Sequence, residues 1–152
     1  MEIRALKTCV IVCAAVAITA ALFIYLTPLK WVNLIEPKIK DRLPALFYNE
    51  YRENPGQYIF IDVRPPEAYN QKHAEGSINI PLHLLYDERK NLPKSGKTIV
   101  LICSGGRASG VAYHYLEHFG FLNLLRISGG IEAWEAAGLP IISGAGNSTN
   151  SK

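Results

Sequence analysis

The sequence predicts an α/β fold: a parallel sheet flanked by helices, preceded by one N-terminal transmembrane helix. Three observations carry this reading. Two short, almost unbroken apolar runs, Tyr58-Ile59-Phe60-Ile61-Asp62-Val63 and Thr98-Ile99-Val100-Leu101-Ile102, have the pattern of strands buried on both faces. Segments of helical spacing lie between the strands, which implies parallel pairing through right-handed crossovers. Residues 8–27 contain no charged side chain. That is about the length an α-helix needs to cross a bilayer core of roughly 30 Å.

At the N-terminus, Arg4 and Lys7 precede the apolar run, and Pro28, Lys30 and Trp31 follow it. Together these are a helix stop with an interfacial charge and ring. A cleaved signal peptide is the rival reading, with a small-x-small site at Ala15-Val16-Ala17. Against it, Leu22-Phe23-Ile24-Tyr25-Leu26 carries the apolar run past that site, which suits an anchor better. Bulky Val12 before Cys13 argues against a lipoprotein cleavage site. Lys30, Lys38, Lys40 and Arg42 outnumber Arg4 and Lys7. The positive-inside rule therefore leans towards a single-pass membrane protein with its domain in the cytoplasm. The 152 residues divide into a membrane anchor (1–27), a linker interrupted by Pro37 (28–42), one domain (43–142) and a small, polar, disordered tail (143–152). The tail includes the sequon Asn147-Ser148-Thr149, relevant only in a secretory pathway.

Within the domain, Leu43, Leu46, Phe47 and Tyr51 have helical spacing, opened by Pro44 and closed by Asn54-Pro55-Gly56. The first strand follows at residues 58–63. Pro65-Pro66-Glu67 starts a short helix, and Ser77-Ile78-Asn79-Ile80 is a brief second strand ended by Pro81. After the polar turn Lys94-Ser95-Gly96-Lys97, residues 98–102 form the most apolar β run, which predicts a central strand. A Gly-rich loop leads into a helix from about Ser109 to Phe119, stopped by Gly120. Residues 124–127 make another strand and 131–137 another helix, ended by Gly138-Leu139-Pro140.

The apolar fraction of 49% and charged fraction of 19% are ordinary for a globular chain. The net charge of +3 is weak and its basic residues are spread along the chain, so there is no electrostatic footprint for nucleic acid. Cysteine usage is more telling. Cys9 and Cys13 fall in the N-terminal run, leaving Cys103 alone in the domain. A lone thiol cannot staple its own domain, so it is either a small buried hydrophobe or a reactive group.

Its surroundings favour reactivity. Cys103 ends the central strand, and Ser104-Gly105-Gly106-Arg107-Ala108-Ser109 runs directly into a helix. Ligand sites of open parallel sheets lie at such strand ends. Two glycines let the backbone curl so that successive amides point into one concavity, and the helix N-terminus adds to its field. The anion nearest to hand is the thiolate of Cys103, with Arg107 as an added cation.

These residues belong to a larger pattern. Ile61-Asp62-Val63-Arg64 is followed by Glu67, Tyr69, His73 and Gly76-Ser77-Ile78-Asn79-Ile80-Pro81. The cysteine loop comes second, and Ser128-Gly129-Gly130 with Trp134, Gly138 and Pro140 third. Across residues 58–142 the chain resembles a single rhodanese domain, the sulfurtransferase fold. The resemblance implies a rhodanese-like sheet and a two-step reaction. The Cys103 thiolate takes a sulfane sulfur from a donor such as thiosulfate, and the persulfide passes it to cyanide or a cellular thiol. The loop amides would stabilise both anions. No cofactor and no metal are implied, and a protein acceptor is possible. The typical loop often carries arginine five positions after the cysteine, where this chain has Ala108 and places Arg107 one position early. The usual Gly-His-Ile-Pro-Gly stands here as Lys72-His73-Ala74-Glu75-Gly76.

Asp62 and Arg64 are read as a structural pair that positions loops, His73 as a satisfied loop histidine, and Trp134 as core. His114 and His118 have a metal-compatible spacing on one helix face but no third ligand nearby in sequence. Two other functions compete with sulfur transfer. One is a partner-specific persulfide carrier or non-catalytic docking module at the membrane. The other is a cysteine phosphatase or arsenate reductase, which needs arginine six places after the cysteine, where this chain has Ser109.

Overall fold

The computed structural model describes the backbone of residues 2–26 and 39–144, with side chains for residues 9–23 and 39–144. The chain divides into two units, Met1–Lys38 and Ile39–Lys152. In the first, helix α1 (Glu2–Leu26) covers the apolar run, and its described side chains are exposed. Among the described residues no helix is long and apolar enough to cross a membrane. The predicted transmembrane helix is therefore not shown. Residues 28–38 of the predicted linker lie outside the described residues.

The second unit begins with β1 (Asp41–Arg42), so the last residues assigned to the linker are an edge strand. Helix α2 (Pro44–Glu53) follows as predicted, its first turn opened by Pro44, whose missing N–H costs nothing there. After one 3₁₀ turn come β2 (Tyr58–Asp62), α3 (Pro66–Gln71), β3 (Lys72–Ala74) and β4 (Ile78–Asn79). A short helix α4 (Leu85–Glu88) and a second 3₁₀ turn lead to β5 (Thr98–Ile102). The chain then continues through α5 (Arg107–His118), β6 (Leu124–Ile127), α6 (Gly130–Ala136) and β7 (Ile141–Ser143).

The main sheet has the order β1-β6-β5-β2-β4, and each neighbouring pair is parallel. The most apolar run, β5, is indeed central. Its five residues pair in register with β2, from Tyr58 opposite Thr98 to Asp62 opposite Ile102. β3 and β7 form a separate antiparallel pair that sequence reading missed. Lys72-His73-Ala74 has no apolar alternation to announce it, and Ser143 belongs to β7 rather than to the tail. Residues 145–152, including the sequon, lie outside the described residues. Two helices start earlier than expected, α5 at Arg107 and α6 at Gly130, because left-handed Gly106 and Gly129 turn the chain directly into each helix.

The sheet is covered on both faces, as its apolar strands require. Ile99, Leu101 and Cys103 pack with Ile61, Val63, Leu85, Ala112, Tyr113 and Leu116 on the α5 side. Val100 and Ile102 pack with Phe47, Phe60, Ile127, Ile131 and Trp134 on the other. The alternation along β5 fixes the side on which Cys103 emerges, since a one-residue slip would invert the whole set. Trp134 is core, as predicted, and its indole N–H donates to the Pro140 carbonyl at 2.9 Å.

Candidate active site

Cys103 follows β5 at the carboxyl end of the sheet, and its side chain is only 2% exposed. Gly106, at φ 96°, folds the loop back so that its own N–H donates to the Cys103 Sγ at 3.2 Å. An L side chain rarely adopts that conformation, so the glycine is needed to aim this amide. Ser109 lies buried on the first turn of α5. The Cys103 thiol reaches its Oγ at 3.4 Å, and the Ser109 hydroxyl donates to the Gly106 carbonyl at 3.1 Å. Once the thiol loses its proton, that hydroxyl can rotate to donate to sulfur instead. The loop therefore offers the thiolate a backbone amide, a hydroxyl and the positive end of a helix of twelve residues.

A cleft of about 660 Å³ lies over the loop, lined by Leu82, Cys103, Ser104, Gly105, Arg107, Ala108, Val111 and Glu132. The structure thus brings most of the predicted loop residues together. Ser104, Gly105 and Arg107 are exposed, Ala108 is half-buried, and Gly106 and Ser109 lie beneath. The Arg107 guanidinium makes no hydrogen bond or ion pair among the described residues.

The supporting residues sit elsewhere. Asp62 is fully buried and held by Arg64, whose Nε and Nη2 reach both carboxylate oxygens at 2.7–3.0 Å. Arg64 Nη2 also donates to the Lys72 carbonyl at 2.6 Å, tying β2 to β3. Asp62 and Arg64, read from the sequence as a structural pair, thus form a buried ion pair away from the cleft lining. His73 stacks on Tyr69, ring centroids 3.8 Å apart, with Nδ1 2.9 Å from the Tyr69 carbonyl. It does not line the cleft. His114 sits beside Glu117 at 3.4 Å, and no group of three potential metal ligands occurs among the described residues.

Three contributors were not legible as site residues. Gly130 is the clearest. The amides of Ile131 and Glu132 donate to the carbonyls of Cys103 and Ser104 at 2.8 and 3.1 Å. A Cβ on Gly130 would lie 2.2–2.3 Å from those same carbonyl oxygens. The Ser128-Gly129-Gly130 block is therefore the buttress of the cysteine loop. Arg126 is the second contributor. It makes a two-pronged pair with Asp41 at 2.7 Å and donates to the Gly106 carbonyl at 3.3 Å. Hydrogen bonding to Asp41 raises its pKa above the ordinary value, against the effect of burial, and the charge of Cys103 adds to the rise. Gly110 makes room for it, since a Cβ there would come within 2.9 Å of Nη1. Glu132, whose carboxylate rests over Gly105, is the third. A basic residue in an otherwise apolar strand was the available signal for Arg126; Glu132 gave none.

Residues 44–137 match the model of the rhodanese-like domain family. The chain is 32% identical over 88 residues to a sulfurtransferase of Allochromatium vinosum, covering 58% of this chain and 81% of that protein. It is 37% identical over 71 residues to the thiosulfate sulfurtransferase PspE of Escherichia coli, covering 46% and 68%. The crystal structure of a rhodanese-related protein from Thermoplasma volcanium is similar, with a TM-score of 0.58 at 31% identity, over 68% of this chain and 97% of that one. The family match spans well over half of the chain and includes the cysteine loop with its buttress; the chain belongs to the rhodanese-like family and has sulfurtransferases among its relatives.

Proposed function

We propose that the protein is a sulfurtransferase that carries sulfane sulfur on Cys103. What supports this is the Sγ of Cys103 at the floor of the cleft, accepting the Gly106 amide beside the Ser109 hydroxyl. In the first step the thiolate attacks the outer sulfur of a donor such as thiosulfate. The S–S bond breaks and sulfite leaves with its electron pair. Cys103 becomes a persulfide whose terminal sulfur bears the charge. In the second step a thiophilic acceptor, cyanide or a thiol, takes the outer sulfur and returns the thiolate. The charge moves by one sulfur atom, and the amide and hydroxyl remain close enough to stabilise it in both states.

Mass spectrometry of the full-length protein tests this reading. Thiosulfate should add one sulfur atom to Cys103 and cyanide should remove it. Absence of the adduct with thiosulfate, polysulfide and mercaptopyruvate alike would overturn the proposal. The same experiment separates an enzyme from a carrier dedicated to one protein acceptor, which would load but turn over poorly with cyanide.

We further propose that the domain works at a membrane, held by residues 8–27 and facing the cytoplasm. The support is the charge-free run itself, the helical backbone of α1, and exposed apolar side chains such as Val10, Ile11, Val16 and Ile18. The protein should stay with membranes through carbonate washing, with the domain open to protease only from the cytoplasmic side. Recovery as a soluble protein beginning near Ile18 would identify a cleaved signal peptide instead.

A further inference from the structure

Two charges of opposite sign, Arg107 and Glu132, border the candidate cleft and are unpaired among the described residues. Arg107 is exposed at the start of α5. Glu132 is exposed on the first turn of α6, with its backbone N–H fixed to the Ser104 carbonyl at 3.1 Å. Its carboxylate lies over the loop itself, since the position of a Cβ on Gly105 would be 3.4 Å from Oε2 and 3.7 Å from Oε1. Among the described residues its carboxylate has no hydrogen bond and no ion pair, with Arg107 or with any other cation. Arg126, which feels the charge of Cys103, is already paired with Asp41. Leu82, Ala108 and Val111 supply the apolar part of the lining.

A site built to hold a small dianion would concentrate positive charge around the sulfur. This one, with Arg107 in the same lining, sets the Glu132 carboxylate directly over Gly105 and the amide nest, so that an anion reaching Cys103 across Gly105 meets a like charge. We infer that Glu132 is a specificity-determining residue that disfavours anionic donors and selects the persulfide of a small thiol carrying a protonated amine. This rests on the sulfurtransferase reading of Cys103. In the reaction, the Cys103 thiolate bonds to the outer sulfur of R–S–SH and the S–S bond breaks. The thiolate R–S⁻ leaves with the electron pair, while the proton stays with the transferred sulfur. No external oxidant or reductant is required. The ammonium on R would face Glu132, and its short carbon chain would lie along Leu82 and Val111.

The test uses two persulfides of equal length and opposite charge, those of cysteamine and of 3-mercaptopropionate, with thiosulfate as a third donor. Loading of Cys103 is followed by mass spectrometry on full-length wild type, Glu132→Gln and Glu132→Lys. The wild type should load faster from the cysteamine persulfide. At about 0.2–1 kcal/mol for an exposed charge pair, the ratio of the two rates should fall by roughly 1.4- to fivefold in Glu132→Gln and further in Glu132→Lys. Thiosulfate loading should rise in the same order. The ratio should also shrink in the wild type between about 0.01 M and 1 M salt, where the Debye length drops from ~30 to ~3 Å. Loading from both persulfides with a ratio that Glu132→Gln leaves unchanged would overturn the inference and spare the sulfurtransferase reading. Failure of every donor to load the wild type would overturn both.

Discussion

Ser109 shows how much of the candidate chemistry depends on single atoms. Its hydroxyl lies between the Cys103 sulfur and the Gly106 carbonyl, and it is fully buried. Ser109→Ala should slow thiosulfate loading of Cys103 about fivefold, the ~1 kcal/mol of one hydrogen bond, and slow its alkylation at neutral pH likewise. Unchanged rates would mean that the hydroxyl serves the loop and not the sulfur. Arg107 invites a different comparison. It is exposed and unpaired, so its charge should attract an anionic donor without being essential to the thiolate. Arg107→Ala should therefore weaken turnover with thiosulfate more than with a neutral donor, and the difference should fade as salt is added. Equal losses for both donors would assign Arg107 to the thiolate instead. Arg64 belongs to stability. Replacing it with Met leaves the Asp62 carboxylate buried without its partner, which should cost about 3–5 kcal/mol in urea unfolding.

Between elements, the decisive contact is that of α6 with the loop after β5. The start of α6 carries two consecutive left-handed glycines, the N-cap Gly129 at φ 70° and the first helical residue Gly130 at φ 61°. The second lets two amides of α6 meet the carbonyls of Cys103 and Ser104 without an intervening side chain. Gly130→Ala should cost more than the ~1–3 kcal/mol of the left-handed conformation alone, because its methyl would also meet both carbonyl oxygens. The loop must then move, so sulfur loading should fall far more than the loss of folded protein explains. Wild-type loading by the variant would show that the loop keeps its shape without the buttress.

For the folded unit as a whole, the edge strand β1 is the test of where the domain begins. The Arg126 and Ser128 amides donate to the Lys40 and Arg42 carbonyls, and Asp41 holds the Arg126 guanidinium. The Lys40 amide in turn donates to the Tyr113 hydroxyl at 3.3 Å. A chain starting at Ile39 should unfold in one cooperative step and load sulfur. A chain starting at Leu43 loses all these bonds and strands Arg126 next to the loop. At about 1 kcal/mol per bond, less the entropy of ordering the strand, it should be roughly 2–4 kcal/mol less stable. Equal denaturation midpoints would place the boundary where the sequence put it, after residue 42.

The sequence by itself determined the sheet, its central strand and the candidate nucleophile. Those features are written locally: an apolar run of β-branched residues must be buried on both faces, and a cysteine before two glycines and a helix has its amide donors within a few positions. Ser128-Gly129-Gly130 was legible as part of a pattern but not as a buttress, because its reason is the approach of the Cys103 and Ser104 backbone, distant in sequence, to Gly130. β1, β3 and β7 were missed for a related cause. Strands of two or three residues carry no periodicity of their own and exist only through the partner they pair with. Asp41, Arg126 and Glu132 are ordinary charged residues in sequence. Only the tertiary structure decided that two of them neutralise each other beneath the loop while the third stands unpaired over it, because that assignment depends on distances between separate elements.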